Sequence, residues 1–215
     1  MGRIRRDFER IEDVKSSRLI VIAAEGQKDK SENRYFKAFI SSKNLSNVQV
    51  RLLERDDRNS SPQNVKKQLD DFKTEYELGQ DDELWAVVDR DRWQNLDDIA
   101  NQCLSDKVSL CVSNPCFELW LLLHVWTKKE FYELSDEEQQ KIFENKKTNK
   151  VTYTKKLLKN KLGGYKEGNY NPAPLIPKTD QAVELAKELD VNPGDLWPHE
   201  LGTRIYLLIE SILRN

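Results

Sequence analysis

Residues 18–26, "RLIVIAAEG", decide the fold together with residues 85–93, "WAVVDRDRW". The first stretch opens with an unbroken apolar run rich in β-branched residues. Such a run predicts a strand that is buried on both faces, as in a parallel sheet. The second stretch contains a similar run, which stops abruptly in Asp-Arg-Asp-Arg. Two buried strands that each end in acidic residues raise the question of what those acids do.

Strand-like segments alternate along the chain with segments of helical periodicity. Because no short hairpin turn joins the strands, this order predicts an α/β fold, a mainly parallel sheet flanked by helices. One helix is expected to take Ser61 as its N-cap and Pro62 as its first residue, and to end at Gly79. Strands are predicted at 18–24, 48–53, 83–88 and 108–112, and helices up to about Ser42, from Pro62 and over 95–104.

The pattern changes after Pro115, where strand-like segments give way to helical ones. Ser135 and Glu138 have the spacing of a capping box, in which each residue satisfies an amide of the other. We therefore expect an α/β core over residues 1–125, with a loosely ordered N-terminus at 1–17, and a helical extension over 126–215 packed on that core. The predicted helices are "CFELWLLLHVW", "SDEEQQKIF", "YTKKLLKNKL", "DQAVELAKEL" and "TRIYLLIESIL".

The composition is that of a polar globular protein, with 38% hydrophobic and 33% charged residues. A net charge of −2 says little about partners, so the distribution of charge has to be considered. Cys103, Cys111 and Cys116 match no zinc or redox spacing, which predicts thiols in a reducing cytoplasm. The longest apolar run is about half the ~20 residues that a membrane span needs, so no membrane partner is expected.

Acidic residues follow two of the predicted strands. Glu25 ends the first, and Asp89 ends the third, with Asp91 two residues later. In a parallel sheet these ends meet at one edge, and residues i and i+2 of a strand point to the same side. Three carboxylates without a nearby His or Cys suit Mg²⁺ or Mn²⁺. The simpler alternatives are a charged turn for the aspartates and a helix N-terminal acid for Glu25.

These motifs also resemble a known family. "IVIAAEG" followed by "WAVVDRDRW" resembles the Toprim pattern, and together with "SNPCFELWLLLHVW" it is similar to the RloB-like family of prokaryotic defence-associated proteins. The similarity extends to "GGYKEGNYN" and "GTRIYLLIESIL". It implies a Toprim-like core, a Mg²⁺-dependent nuclease role in phage defence and kinship with nucleases that work with an ATPase. The first motif departs from the family pattern, so either Asp29 or Glu32 supplies the second acid.

On this hypothesis Glu25, Asp89 and Asp91 bind the metal and serve catalysis. Glu25 either binds metal or transfers protons through a water. Lys28 is a candidate phosphate contact or an ordinary surface charge.

The stretch "SNPCFELWLLLH" contains three further polar candidates. Glu118 falls in an apolar helix, where it needs a partner such as a metal, a lysine or a backbone amide. It is a candidate for a direct catalytic role or for support of the site. Asn114 is placed near the same edge of the sheet, where it supports the site or caps the next helix. His124 is a supporting candidate for which a place in the core is the favoured alternative.

Residues 146–166 contain eight lysines and no acid, with tyrosines interleaved. Such a segment either binds nucleic-acid phosphates, in a salt-sensitive and largely sequence-independent way, or forms a solvated helix face. The resemblance singles out Lys166 as a candidate active-site cation. The candidate nucleic-acid contacts are Lys155, Lys156, Lys159, Lys161 and Lys166.

Two functions follow from these patterns. The first is a Mg²⁺-dependent nuclease that cleaves DNA or RNA, with transfer RNA as one candidate substrate. The second is a non-catalytic binding or signalling module that acts only in complex with a partner ATPase. The chain carries no G-x-x-x-x-G-K-[ST] phosphate loop, so ATP hydrolysis would have to come from the partner. A topoisomerase or primase activity ranks below both.

Overall fold

A central sheet organises the computed structural model, which describes residues 6–7, 18–54, 60–90, 93 and 96–214. The sheet has five strands in the order β3-β2-β5-β6-β9. The first four strands run parallel, and the last is antiparallel to its neighbour. The strands are β1 (Arg6–Asp7), β2 (Arg18–Ala24), β3 (Val48–Leu53), β4 (Tyr76–Glu77), β5 (Glu83–Asp89), β6 (Val108–Asn114), β7 (Lys147–Thr148), β8 (Val151–Thr152) and β9 (Gly202–Thr203).

Helices cover both faces of this sheet. In β2, Ile20 and Ile22 face one apolar cluster while Leu19 and Val21 face the other, as alternation along a strand requires. Side chains of α1, α4 and α7 to α9 form the first cluster, and side chains of α2 and α3 form the second. The helices are α1 (Ser31–Ser42), α2 (Pro62–Glu75), α3 (Leu96–Ser105), α4 (Glu118–Val125), α5 (Lys128–Tyr132), α6 (Asp136–Glu144), α7 (Tyr153–Lys161), α8 (Thr179–Leu189) and α9 (Ile205–Leu213).

The predicted α/β class and parallel sheet are confirmed, as are the four predicted strands. Ser61 caps α2 through a bond from the Asn64 amide at 3.2 Å. The Ser135–Glu138 capping box is present at the start of α6. All three cysteines are buried free thiols. Among the described residues, no helix combines the length and apolar character that a membrane crossing requires.

The end of α2 and the strand β9 differ from the sequence-based expectation. Helix α2 ends at Glu75, not at Gly79, because the chain turns extended at Tyr76 and pairs with β1. Strand β9 was not predicted, since two residues carry no periodic signal. Its place is set by tertiary contacts, including a 2.7 Å bond between Ser113 Oγ and Thr203 Oγ1. Of the N-terminal segment predicted to be loosely ordered, only residues 6–7 are described, and the rest lies outside the described residues.

A buried ion pair fixes the chain around β9 and α9. Arg204 donates from Nε and Nη2 to the two carboxylate oxygens of Asp190, at 2.9 and 3.0 Å. The Tyr206 hydroxyl donates to the same carboxylate at 2.8 Å, and both members of the pair are buried. Both charged side chains are shielded from water, so removal of one leaves the other buried without an opposite charge.

We therefore expect Asp190→Asn to lower the free energy of unfolding by about 3–5 kcal/mol, as measured by urea denaturation. The matched control is Asp71→Asn, which removes one partner of an exposed ion pair with Lys67. It should change the stability very little, since solvent screens that pair. Equal effects of the two variants would contradict the structural role given to Asp190.

His124 lies in the apolar core, and its pKa is lowered to about 4, chiefly by burial and further by the Lys178 charge. Its Nδ1 bonds the Trp120 carbonyl at 2.8 Å and its Nε2 bonds the Tyr35 hydroxyl at 3.0 Å. Between pH 6.5 and about 4 the unfolded chain therefore binds a proton that the folded chain does not. The free energy of unfolding falls by up to about 3 kcal/mol as the pH drops through this window.

His124→Gln should remove this part of the pH dependence, although it lowers the stability itself. The measurement is urea denaturation at several pH values between 4 and 7. His199→Gln, at the second and exposed histidine, serves as the control and should keep the wild-type slope. Titration of the carboxyl groups is common to both variants and cancels in the comparison. An unchanged slope for His124→Gln would sink the interpretation.

Candidate functional site

The carboxyl ends of β2 and β5 bring Glu25 and Asp89 together. The two strands are neighbours, with Ala24 paired to Val87, and the Glu25 amide donates to the Val87 carbonyl at 3.1 Å. Glu25 thus follows its strand directly and stands beside the end of the other. Asp91, the second acid of the D-x-D motif, lies outside the described residues. Its place in the predicted cluster stays a prediction.

Asp89 is the centre of an acidic cluster. Burial raises the pKa of its carboxyl well above the usual range, and the charges of Glu32, Glu25 and Glu118 raise it further. The Phe117 amide, at the start of α4, donates to Asp89 Oδ1 at 2.8 Å and opposes this shift. Three other carboxyl groups are therefore close enough to raise the pKa of Asp89, and perturbed carboxyl groups of this kind concentrate at functional sites.

Glu32 joins the cluster from the first turn of α1. Burial raises its pKa to about 7, and the charges of Glu118 and Glu167 add to the increase. Gly26 stands against it, and a Cβ at that position would collide with the Glu32 carboxylate. Asp29, the other candidate for the second acid, is exposed and lines a different cavity. The structure thus places Glu32, and not Asp29, beside Asp89.

Glu118 is buried in the first turn of α4 and has partners from the C-terminal part of the chain. The Tyr165 hydroxyl donates to Glu118 Oε1 at 2.8 Å and is 2.5 Å from Ser31 Oγ. Lys155 Nζ lies 3.7 Å from the same carboxylate oxygen. The lysine was one of the partners that the sequence predicted for this acid.

Two lysines balance part of the negative charge. Lys155 forms an ion pair with Glu167, and Lys30 Nζ lies 3.4 Å from that same carboxylate. Although burial lowers the pKa of Lys155, the charge of Glu118 and the bond to Glu167 outweigh it and raise that pKa. A cavity of about 230 Å³ opens beside these groups, lined by Glu25, Gly26, Gln27, Lys30, Glu32, Ser60 and Glu167.

Two supporting candidates lie away from this cavity. The Asn114 amide donates to the carbonyls of Pro198 and His199, at 2.9 and 3.2 Å. Asn114 does not cap α4, because Phe117 is the N-cap residue of that helix. His124 is held in the core by Tyr35 and Trp120, which fits the structural interpretation.

The five lysines predicted to contact nucleic acid fall into three groups. Lys155 faces the acidic cluster, and Lys161 forms an ion pair with Glu130. Lys156, Lys159 and Lys166 are exposed, and no ion pair joins them to another described residue. Lys155, rather than Lys166, is the cation of this segment that lies at the carboxylates.

Sequence reasoning missed Tyr165, Glu167 and Lys30 as members of the site. They come from loops that carry no periodic signal, so only the folded structure brings them to the carboxylates. The polar and aromatic character of "GGYKEGNYN" was the one signal that could have directed attention to this loop.

The cluster fits a hard cation by its donors but does not form a complete metal site. Its side chains offer carboxylate oxygens, which Mg²⁺ and Mn²⁺ prefer. Within residues 18–54, 60–90 and 96–214, however, no three His, Cys, Asp or Glu side chains are grouped closely enough to hold an ion. Asp91 lies outside these described residues.

Tyr165→Phe should lower the free energy of unfolding by about 1.5–3 kcal/mol, because it removes a hydrogen bond to a buried carboxylate. Tyr153→Phe is the matched control, since no hydrogen bond joins the Tyr153 hydroxyl to another described residue. Urea denaturation of both variants at pH 7 measures the difference. If Tyr165→Phe is as stable as the control, the bond to Glu118 does not hold this loop in place.

Comparison with known proteins agrees with the motifs. A family model described as "RloB-like protein" matches residues 20–212, a range that includes Glu25, Asp89, Glu118 and Tyr165. No curated protein and no solved structure matches the chain.

Proposed function

The chain belongs to the RloB-like protein family, and we propose that it is a metal-dependent nuclease that hydrolyses phosphodiester bonds of DNA or RNA in antiphage defence. The observation that carries the proposal is that Glu25 and Asp89 end two paired parallel strands, with Glu32 and Glu118 close enough to raise the pKa of Asp89. A purely structural role would not favour three acids beside Asp89 whose charges raise its pKa. A divalent cation at this edge would remove much of that cost.

Glu25, Asp89 and Asp91 are the residues that would hold Mg²⁺ or Mn²⁺. When bound, such an ion neutralises phosphate charge and stabilises the leaving oxygen. The Phe117 amide fixes Asp89 through one carboxylate oxygen. Tyr165 and Lys155 hold Glu118 in place from the other side, so the acids are positioned before any ligand arrives.

With Mg²⁺ or Mn²⁺, the purified chain should cleave members of a panel of single- and double-stranded DNA, RNA and transfer RNA. Asp89→Asn and Asp91→Asn should each lower the cleavage rate by more than about 100-fold, because each removes a charged ligand. Asp71→Asn, an exposed acid on α2, should cleave at the wild-type rate. Full activity in both Asp89→Asn and Asp91→Asn would show that the mechanism is wrong.

A second candidate is a non-catalytic module that acts with a partner ATPase. The observation that favours it is that two of the acids already have protein partners, Asp89 in the Phe117 amide and Glu118 in Tyr165 and Lys155. Metal binding by the isolated chain without cleavage of any substrate would favour this candidate. Cleavage that appears only after an ATPase is added would support the two-component form.

A further inference from the structure

A second cavity lies on the other side of the loop that leads from β2 into α1, and its lining is basic. Its volume is about 360 Å³, and the cations Lys28, Arg34 and Lys37 line it. Asp29 is the acidic residue in this lining. Gly26, Gln27 and Lys30 line the cavity described above, which we call the acidic cavity, whereas Lys28 and Asp29 line the second, the basic cavity. The two cavities therefore share the loop of residues 26–30.

The basic cavity is built along one face of α1. Arg34, Lys37, Ala38 and Ser41 have the i, i+3, i+4 and i+7 spacing of neighbours on a helix surface. Glu32, on the same helix, lines the acidic cavity. The segment of residues 26–41 therefore lines a mainly acidic cavity with some of its residues and a mainly basic cavity with others.

Arg34 is held in place by neutral groups. Its Nε donates to the Tyr170 carbonyl at 3.1 Å, and its Nη1 lies 3.4 Å from the Gly168 carbonyl. No carboxylate of the described residues forms an ion pair with this guanidinium. These partners are uncharged carbonyls, which fix the position of Arg34 without offsetting its positive charge. Such a guanidinium is suited to planar, bidentate recognition of a phosphate.

Lys37 contributes a second, weaker charge. Its Nζ is 2.7 Å from Glu54 Oε1, and its side chain is 45% exposed. An exposed ion pair of this kind contributes little energy, so a polyanion can compete for the lysine. The cavity thus combines one fixed cation with exposed lysines at its rim.

We propose that this basic cavity binds a backbone phosphate of a nucleic-acid strand whose neighbouring phosphate lies at the acidic cavity. The inference rests on the proposed nuclease function and assigns the strand's position: it crosses the loop of residues 26–30. The competing surface is α7, where Lys156 and Lys159 are exposed. The α1 cavity is favoured because it is concave, contains a fixed guanidinium and adjoins the carboxylates.

The test measures binding to a fluorescent 20-nucleotide single strand, as DNA and as RNA of the same sequence, by anisotropy at several salt concentrations. EDTA is present, so binding is observed without metal or cleavage. Arg34→Gln combined with Lys37→Gln should raise the Kd about tenfold. It should also reduce the slope of log K against log salt by about 0.7, the contribution of the one phosphate contact that is lost on a single strand.

Three further variants make the result specific. Arg51→Gln removes an exposed arginine beside α2, outside the basic cavity, and should bind as the wild type does. The triple change of Lys156, Lys159 and Lys166 to Gln tests α7 and the loop after it, and it should change the Kd very little. Arg34→Lys keeps the charge but loses the fork geometry, so its Kd should lie between those of the wild type and the Arg34/Lys37 variant. Thermal unfolding of each variant shows whether it is folded.

Several outcomes would overturn the inference. These are wild-type Kd and salt slope in the Arg34/Lys37 variant, an equal loss in Arg51→Gln, or a loss found only in the α7 variant. An equal loss in Arg34→Lys and in the Arg34/Lys37 variant would show that positive charge in this cavity does not drive binding. The proposed function fails separately: if the strand binds through this cavity in EDTA but is never cut with Mg²⁺ or Mn²⁺, only the nuclease activity is refuted. RNA and DNA that bind equally well support recognition of the phosphates alone.

Discussion

Repulsion between Asp89 and three neighbouring carboxyl groups, of which Glu118 is buried and the others half-buried, is the constraint on which the rest of the site depends. Asp89 is destabilised as an anion by burial and by the charges of Glu32, Glu25 and Glu118. Such an arrangement lowers the stability of the fold, and groups of this kind concentrate where proteins act on ligands. The chain offsets part of the cost with a backbone amide, a tyrosine hydroxyl and a lysine. Each of these groups also limits where the carboxylates can move.

The partners that offset this repulsion come from distant parts of the chain. Lys155 lies on α7 and Tyr165 in the loop after it, and both contact Glu118 on α4. The same loop is fixed to α1 through Ser31 and Arg34. The C-terminal part of the chain therefore does more than cover the sheet, because it supplies the partners of Glu118 in the acidic cluster. The buried Arg204–Asp190 pair has a similar effect at β9, where it holds the last strand and helix in position.

The separation of charge across the loop of residues 26–30 gives the two proposals a common basis. The cavity on one side of this loop is lined mainly by acids, with Lys30 among them, and the cavity on the other side mainly by cations, with Asp29 among them. The acids attract a metal ion, and the cations attract a phosphate. A nucleic-acid strand that binds beside a metal ion would contact both groups. The overall charge of −2 conceals this arrangement, since the opposing surfaces cancel in the sum. A fixed Arg34 supplies the directional contact that a mobile surface lysine lacks.

The sequence by itself determined the parallel sheet and the position of Glu25 and Asp89 at one edge of it. Apolar runs of β-branched residues specify strands locally, and parallel pairing then aligns their carboxyl ends. Tertiary structure decided which other residues join them: Glu32 and not Asp29, Lys155 and not Lys166, with Tyr165 and Glu167 added. It also decided that Asn114 and His124 are engaged elsewhere, and it placed the unpredicted strand β9. The physical reason is that periodicity fixes the face on which a side chain lies, whereas loop packing sets the distance between elements, and loops carry no periodic signal.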